Sequence, residues 1–156
     1  MSTSTAGPLH AYLAGAGRDS RGRLITDVLD YSDERLELIH DYIQWLFPLP
    51  TRSAAQPHSP TLTALEIEAI MLDRRATDNL QRAAHRMLRF YSSTREWLTS
   101  HDHNHLRITR IIRSLRLLIG SDDARRFHHA ILDLQQAAGD PVNADSLRFW
   151  AEAAGG

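Results

Sequence analysis

The 156-residue chain predicts an all-α fold, a compact single-domain bundle of several helices around a central one at about residues 33–47. Three observations carry this. No stretch alternates apolar and polar residues with period two for long enough to make a strand. Apolar residues recur instead at three- and four-residue steps, most cleanly between Arg74 and Ser92. Helix punctuation also falls where those patterns start and stop: Thr63 with Glu66 forms a capping box, Asn143 is a cap, and Gly120 and Gly139 are terminators.

Taken in order, the octet MSTSTAGP (residues 1–8) is small and polar and reads as disordered, leaving residues 9–154 as one helical domain. Leu9–Leu13 makes a short helix. Gly15–Arg23 is a turn-rich connector whose broken GxGxxG spacing, with no strand before it, does not fit a dinucleotide loop. A second short helix covers Leu24–Leu29. The central segment opens on Ser32, a suitable N-cap before Asp33 and Glu34 at the positive end of the helix dipole. On a helical wheel Leu36, Ile39, Ile43, Leu46 and Phe47 form one stripe. Leu38, Tyr42 and Trp45 form another beside it, and Glu37, Asp41 and Gln44 face water. A helix apolar over that width has neighbours on two sides. Pro48 ends it, because the residue before a proline disfavours helical geometry.

A proline-rich loop then leads to a helix from Ala64 to about Asp73. In the next helix, from Arg74 to Ser92, Ala76, Leu80, Ala83, Met87, Phe90 and Tyr91 lie in one arc. Arg75, Arg82, Arg86 and Arg89 lie opposite, and a solvated face is the plainer reading of those arginines. Ser93–Asp102, holding Trp97, connects to a helix from His103 to Ile119. That helix buries Ile108, Ile111, Ile112, Leu115 and Leu118 and turns Arg107, Arg110, Arg113 and Arg116 outward. Leu106 and Leu117 share the arginine side, so another segment of the chain or a partner has to cover them. Helices at Asp122–Ala138, burying Phe127, Ala130, Ile131 and Leu134, and at Ala144–Ala153, burying Leu147 and Trp150, complete the series.

Composition narrows the function. There is no cysteine, so disulfides and thiolate metal sites are excluded. MSTSTAGP is not a secretory signal, and no apolar run reaches the roughly 18 residues of a membrane helix, so a soluble, cytoplasmic protein is expected without membrane insertion. All eighteen basic residues are arginine, the mark of a GC-rich, bacterial-type genome before it is evidence of anion recognition. The net charge of −1 hides a separation. Six acids face one arginine between Asp27 and Asp41, and ten arginines face three acids between Arg74 and Arg116. Such a dipolar chain offers a basic face to an acidic partner.

Histidines supply the remaining chemistry. His101, His103 and His105 are weak candidate metal ligands, because their two-residue spacing points His103 away from the others on a helix; no metal or cofactor is expected. Asn104 reads as a helix N-cap. His40 reads as a partly buried structural residue. His128 and His129, being adjacent, face different ways. No P-loop or GxSxG pattern occurs.

HDYIQWLFPL at His40–Leu49, MLRFY at Met87–Tyr91, REW at Arg95–Trp97 and HNHLRITRIIRSL at His103–Leu115 occur in the order that resembles the opioid growth factor receptor conserved region. The resemblance spans roughly Leu24–Leu132, and its motif residues are His40, Tyr42, Gln44, Trp45, Pro48, His103, Asn104, Arg107 and Arg110. It implies a helical domain. Animal members of that family are described as nuclear-associated, growth-controlling receptors for an enkephalin peptide, unrelated to seven-helix receptors, with long C-terminal extensions. The fold is expected to carry over and the opioid ligand is not. The expected function is a non-enzymatic interaction domain binding a peptide or acidic protein segment. Its face would comprise Arg82, Arg86, Arg89, Arg107, Arg110 and Arg113, with apolar contact from Leu106 and Leu117. Two alternatives stand beside it: nucleic-acid binding by the same arginines through phosphate neutralisation, which the sequence pI of about 6.8 opposes, and an enzyme with a His-centred site where His40 or the His101–His105 group converges with Arg107. Oligomeric state is left open.

Overall fold

Thr5–Gly7 lead by a bend into the first helix of the structure, a computed structural model that describes residues 5–156. Residues 1–4 of the octet expected to be disordered lie outside the described residues. Pro8, its last residue, is already helical: with φ pre-set and no N–H to satisfy, proline suits the first helical turn. Regular structure among the described residues is helical, with no strand. The elements are α1 (Pro8–Leu13), α2 (Ile25–Leu29), α3 (Asp33–Leu38), α4 (Ile43–Leu46), α5 (Ala64–Leu72), α6 (Arg74–Ser93), α7 (His103–Leu118), α8 (Ser121–Ala137) and α9 (Ala144–Ala153). No helix among the described residues is long and apolar enough to cross a membrane. The chain sorts into two compact units, one ending at Ala83 and the other beginning at Ala84, with the boundary inside α6.

The expected central helix at 33–47 is a correction. It is two helices, α3 and α4, separated by Ile39–Tyr42. Ser32 caps α3 as anticipated, its Oγ accepting from Arg35 N–H at 3.2 Å, but Ile39 leaves in extended geometry. Side chains from elsewhere hold the break open. Arg23 Nη1 lies 3.0 Å from Asp41 Oδ1, and Arg21 Nε donates to Asp41 Oδ2 at 3.0 Å. The Tyr42 hydroxyl donates to the Leu36 carbonyl at 2.6 Å, satisfying an acceptor that the helix end leaves orphaned. One consequence is that Leu38, assigned to the stripe of Tyr42 and Trp45, is 75% exposed. Of the other apolar residues in the two stripes, Ile39 is half-buried, and Leu36, Tyr42, Ile43, Trp45, Leu46 and Phe47 lie in the core.

In this first unit α1 packs against α4 and α5, and Tyr12 meets Trp45 edge to face at 5.5 Å. The turn-rich connector is held by buried Asp19. Its Oδ1 accepts from the Arg21 and Arg23 amides at 2.9 Å each, and its Oδ2 accepts from Arg23 Nε at 2.6 Å. Arg23 thus bridges Asp19 and Asp41. Burial pushes the Asp41 carboxyl up, but the bonds and charges of Arg23 and Arg21 outweigh it and leave that group below its ordinary value.

In the second unit α7 packs against α8 and α9. An aromatic chain fills the space between them. Tyr91 meets Trp97 at 5.3 Å, Trp97 meets Trp150 at 6.5 Å, and His105 meets Trp150 at 5.7 Å. Each indole satisfies its N–H as a buried Trp must: Trp97 Nε1 donates to Tyr91 O at 2.9 Å and Trp150 Nε1 to His105 O at 3.0 Å.

Candidate functional site

The candidate surface lies on α7. Asp102, in extended geometry, starts the helix by accepting from the Asn104 N–H at 3.0 Å, so Asp102 and not Asn104 is the N-cap. Asn104 instead points inward, where its Oδ1 accepts from the Tyr91 hydroxyl at 3.2 Å and its Nδ2 donates to Asp102 at 2.9 Å. With Ile108, Ile111, Ile112, Leu115 and Leu118 fully buried, the register sends the opposite ridge outward. That ridge reads Leu106, Arg110, Arg113, Leu117, at steps of four, three and four residues. Leu106 is 72% exposed, Arg113 is exposed, and Arg110 and Leu117 are half-buried. Leu106, one of the two leucines that needed cover, therefore has little from the described residues. Burial, and then the nearby Arg113, lower the Arg110 guanidinium to about 10, which leaves it charged at neutral pH.

The six arginines of the expected face do not share one environment. Arg82, Arg89 and Arg113 are exposed and Arg110 is half-buried. Arg86 and Arg107 are buried, so neither presents a guanidinium to solvent as the wheel suggested: the wheel places a side chain on a helix but not the neighbour that closes over it. Arg82 Nη1 donates to Asn79 Oδ1 at 3.4 Å. Sequence periodicity did expose the Leu106–Leu117 ridge, and its apolar residues among charges are the signal that found it.

Motif residues of the first unit are mostly structural. Tyr42 and Trp45 are core, Pro48 is buried, and buried Gln44 donates to Ser53 Oγ at 3.4 Å. His40, expected to be partly buried, is exposed, because the break after Leu38 swings it off the helix face. His101 and His103 are exposed on the second unit, while His105 is buried and donates from Nε2 to the Trp97 carbonyl at 2.8 Å. The three rings do not bring their nitrogens within mutual ligating reach. His128 is buried with Nε2 unpartnered. Burial, and then neighbouring His129, lower its pKa.

One polar node in the first unit has no local signature. Glu66, only 2% exposed, closes its own capping box with Thr63 and also reaches α1, where its Oε2 accepts from the Leu9 and His10 amides at 2.9 and 3.1 Å. Buried His10 lies between two partners. Its Nδ1 accepts from Ala6 N–H at 3.0 Å and its Nε2 donates to Asp73 Oδ2 at 2.8 Å. Burial pushes the Asp73 carboxyl up, but the His10 bond and the Arg75 and Ala76 amides more than reverse this and hold it below its ordinary value. Next to the node is an open cavity of about 410 Å³ lined by Thr5, Ala6, His10, Leu65, Glu68, Ala69 and Leu72.

The Opioid growth factor receptor (OGFr) conserved region matches residues 21–96. The opioid growth factor receptor of Rattus norvegicus is 36% identical over 115 residues, covering 60% of this chain and 20% of the relative. The Homo sapiens receptor is 33% identical over 115 residues, covering 60% and 17%. Opioid growth factor receptor-like protein 1 of Mus musculus is 34% identical over 99 residues, covering 53% and 21%. The chain thus spans about a fifth of the length of these relatives. No solved structure matches. The matched region includes His40, Tyr42, Gln44, Trp45, Pro48 and the α6 arginines. His103, Asn104, Arg107 and Arg110 lie beyond its end, so the α7 ridge stands on its own geometry.

Proposed function

Residues 21–96 of this chain belong to the opioid growth factor receptor conserved-region family, and from that premise we propose that the protein is a non-enzymatic helical interaction domain that binds an acidic, partly apolar peptide or protein segment on the outward ridge of α7. The observation that supports this reading is Leu106, 72% exposed and followed on the same ridge by Arg110 and Arg113. An exposed leucine alone is unremarkable on a protein surface. Together with a second, half-buried leucine at Leu117 and two guanidiniums between them, it makes an apolar–cationic–apolar strip of twelve residues, roughly 16 Å along the helix. Carboxylates spaced to meet Arg110 and Arg113 would orient the segment by bidentate pairing, and apolar residues at either end would supply the contact area. Partial burial of Arg110 strengthens that pairing, because a half-desolvated cation gains more from an anion than a fully hydrated one does.

The family supplies the class of function: the relatives carry the name receptor, and a receptor binds a partner. The test uses a fluorescein-labelled helical peptide with two glutamates three residues apart flanked by leucines, read by fluorescence anisotropy. Arg113→Glu and Leu106→Asp are each expected to weaken binding about tenfold or more, and a peptide with glutamine for glutamate should bind comparably weakly. Equal affinity of wild type and both variants would reject the ridge. Tight, salt-dependent binding of a random-sequence DNA or RNA duplex with none of the peptide would favour phosphate neutralisation instead.

A further inference from the structure

In the first unit we infer that His10 is a pH-operated latch that fastens Thr5–Gly7 beside the cavity on α5. The geometry assigns the imidazole one tautomer. A carboxylate only accepts, so Nε2 must carry the proton it gives to Asp73, and Nδ1 must be bare to accept the Ala6 N–H. The latch therefore requires neutral His10. Protonation puts a second N–H on Nδ1, pointing at the Ala6 N–H, and the bond that ties the segment down becomes a repulsion between donors.

What surrounds His10 makes this release local. From α5 it faces Glu66, whose carboxylate holds the His10 main chain and not the ring, and Glu68, which lines the same cavity. From the turn after α5 it faces Asp73, and beyond Asp73 lies Arg75, with Nε 3.9 Å from Asp73 Oδ1. Packed on the other side, α4 contributes Ile43–Leu46 and no titratable group. Because Asp73 stays ionised well into the acid range, a charged His10 keeps and strengthens that bond while losing the one to Ala6. One partner is kept and the other expelled, so α1 stays docked through Glu66. Thr5 and Ala6 line the cavity of about 410 Å³ together with His10 and, from α5, the exposed Leu65 and Leu72. Release of the segment removes Thr5 and Ala6 from that lining and leaves a cationic His10 beside the α5 residues.

The experiment is a pH titration by NMR from about pH 8 to about pH 5, following the His10 ring protons and the exchange protection factor of the Ala6 amide. Loss of one hydrogen bond predicts a drop in protection of about five-fold or more, with the same midpoint as the ring. His10→Gln, which can donate and accept without titrating, is expected to show no midpoint at Ala6. Asp73→Asn keeps an acceptor but removes the charge that favours the protonated ring, and should release Ala6 only at a lower pH than wild type does. The idea is overturned if His10 stays neutral throughout, if it titrates while Ala6 protection stays flat, or if His10→Gln shows the same loss as wild type.

Discussion

Glu66 tests the packing argument most directly. Its carboxylate takes three backbone amides at once: Leu9 and His10 at 2.9 and 3.1 Å, and Thr63 at 3.4 Å. Truncation to alanine strands the first two in a buried site. A bond to a charged acceptor is worth about 1.5–3 kcal/mol, and the longer Thr63 contact, one half of the capping box, adds about 0.5–1 kcal/mol. Fraying of the six-residue α1, which admits water to the stranded amides, reduces the total. The expected cost of Glu66→Ala is therefore about 3–4 kcal/mol. Glu66→Gln, which keeps one acceptor oxygen, should lose about 1–2 kcal/mol. Urea unfolding followed by circular dichroism at constant m-value reads the global change, and exchange of the Leu9 and His10 amides reads the local one. A Glu66→Ala protein within about 1 kcal/mol of wild type, with both amides still protected, would refute the double-cap reasoning.

Approached from the other side, Gly7→Ala should cost about 1–3 kcal/mol in the same unfolding assay, because a β-carbon there would lie 2.5 Å from Glu66 Oε2 while the backbone itself is extended. Leu106→Ser should leave stability within about 0.5 kcal/mol, whereas Ile111→Ala, on the buried side of the same helix, should cost about 2–5 kcal/mol; equal effects would mean that the ridge is covered. His128, with its folded pKa lowered, favours the neutral ring in the folded state. Its contribution is full above about pH 6.5, the unfolded value, and is lost as pH falls toward the folded one, so His128→Leu should flatten the stability profile across that window. Asp41 acts in the same direction at lower pH. The stability it gains from Arg23 and Arg21 is present above about pH 3.8 and lost as pH falls through its depressed folded value, and Asp41→Asn should cost about 1–3 kcal/mol at neutral pH.

Helix type and most helix ends follow from interactions that reach no further than one turn. The Thr63/Glu66 box, the Ser32 cap, the Asn143 cap onto Ser146 N–H at 2.8 Å and the positive φ at Gly139 are all contacts between residues close in sequence, so reading the chain locally is enough to place them. The buried sides of α6 and α7 follow for a related reason: a 3.6-residue period states which residues share a face. Asp102 shows the margin of such readings, since two residues that can both cap stand two positions apart and the backbone takes the first.

Tertiary structure decided everything that depends on partners far along the chain. The break between α3 and α4 is held by Arg23, eighteen residues from Asp41; without that pair the apolar wheel favours one continuous helix. Burial of Arg86 and Arg107 could not be read from periods that describe each helix alone. Glu66 serves its own helix through a local rule and α1 through contacts spanning more than fifty residues, and His10 meets Asp73 across sixty-three. A short-range pattern encodes what a residue offers, and only the folded chain determines which group accepts it.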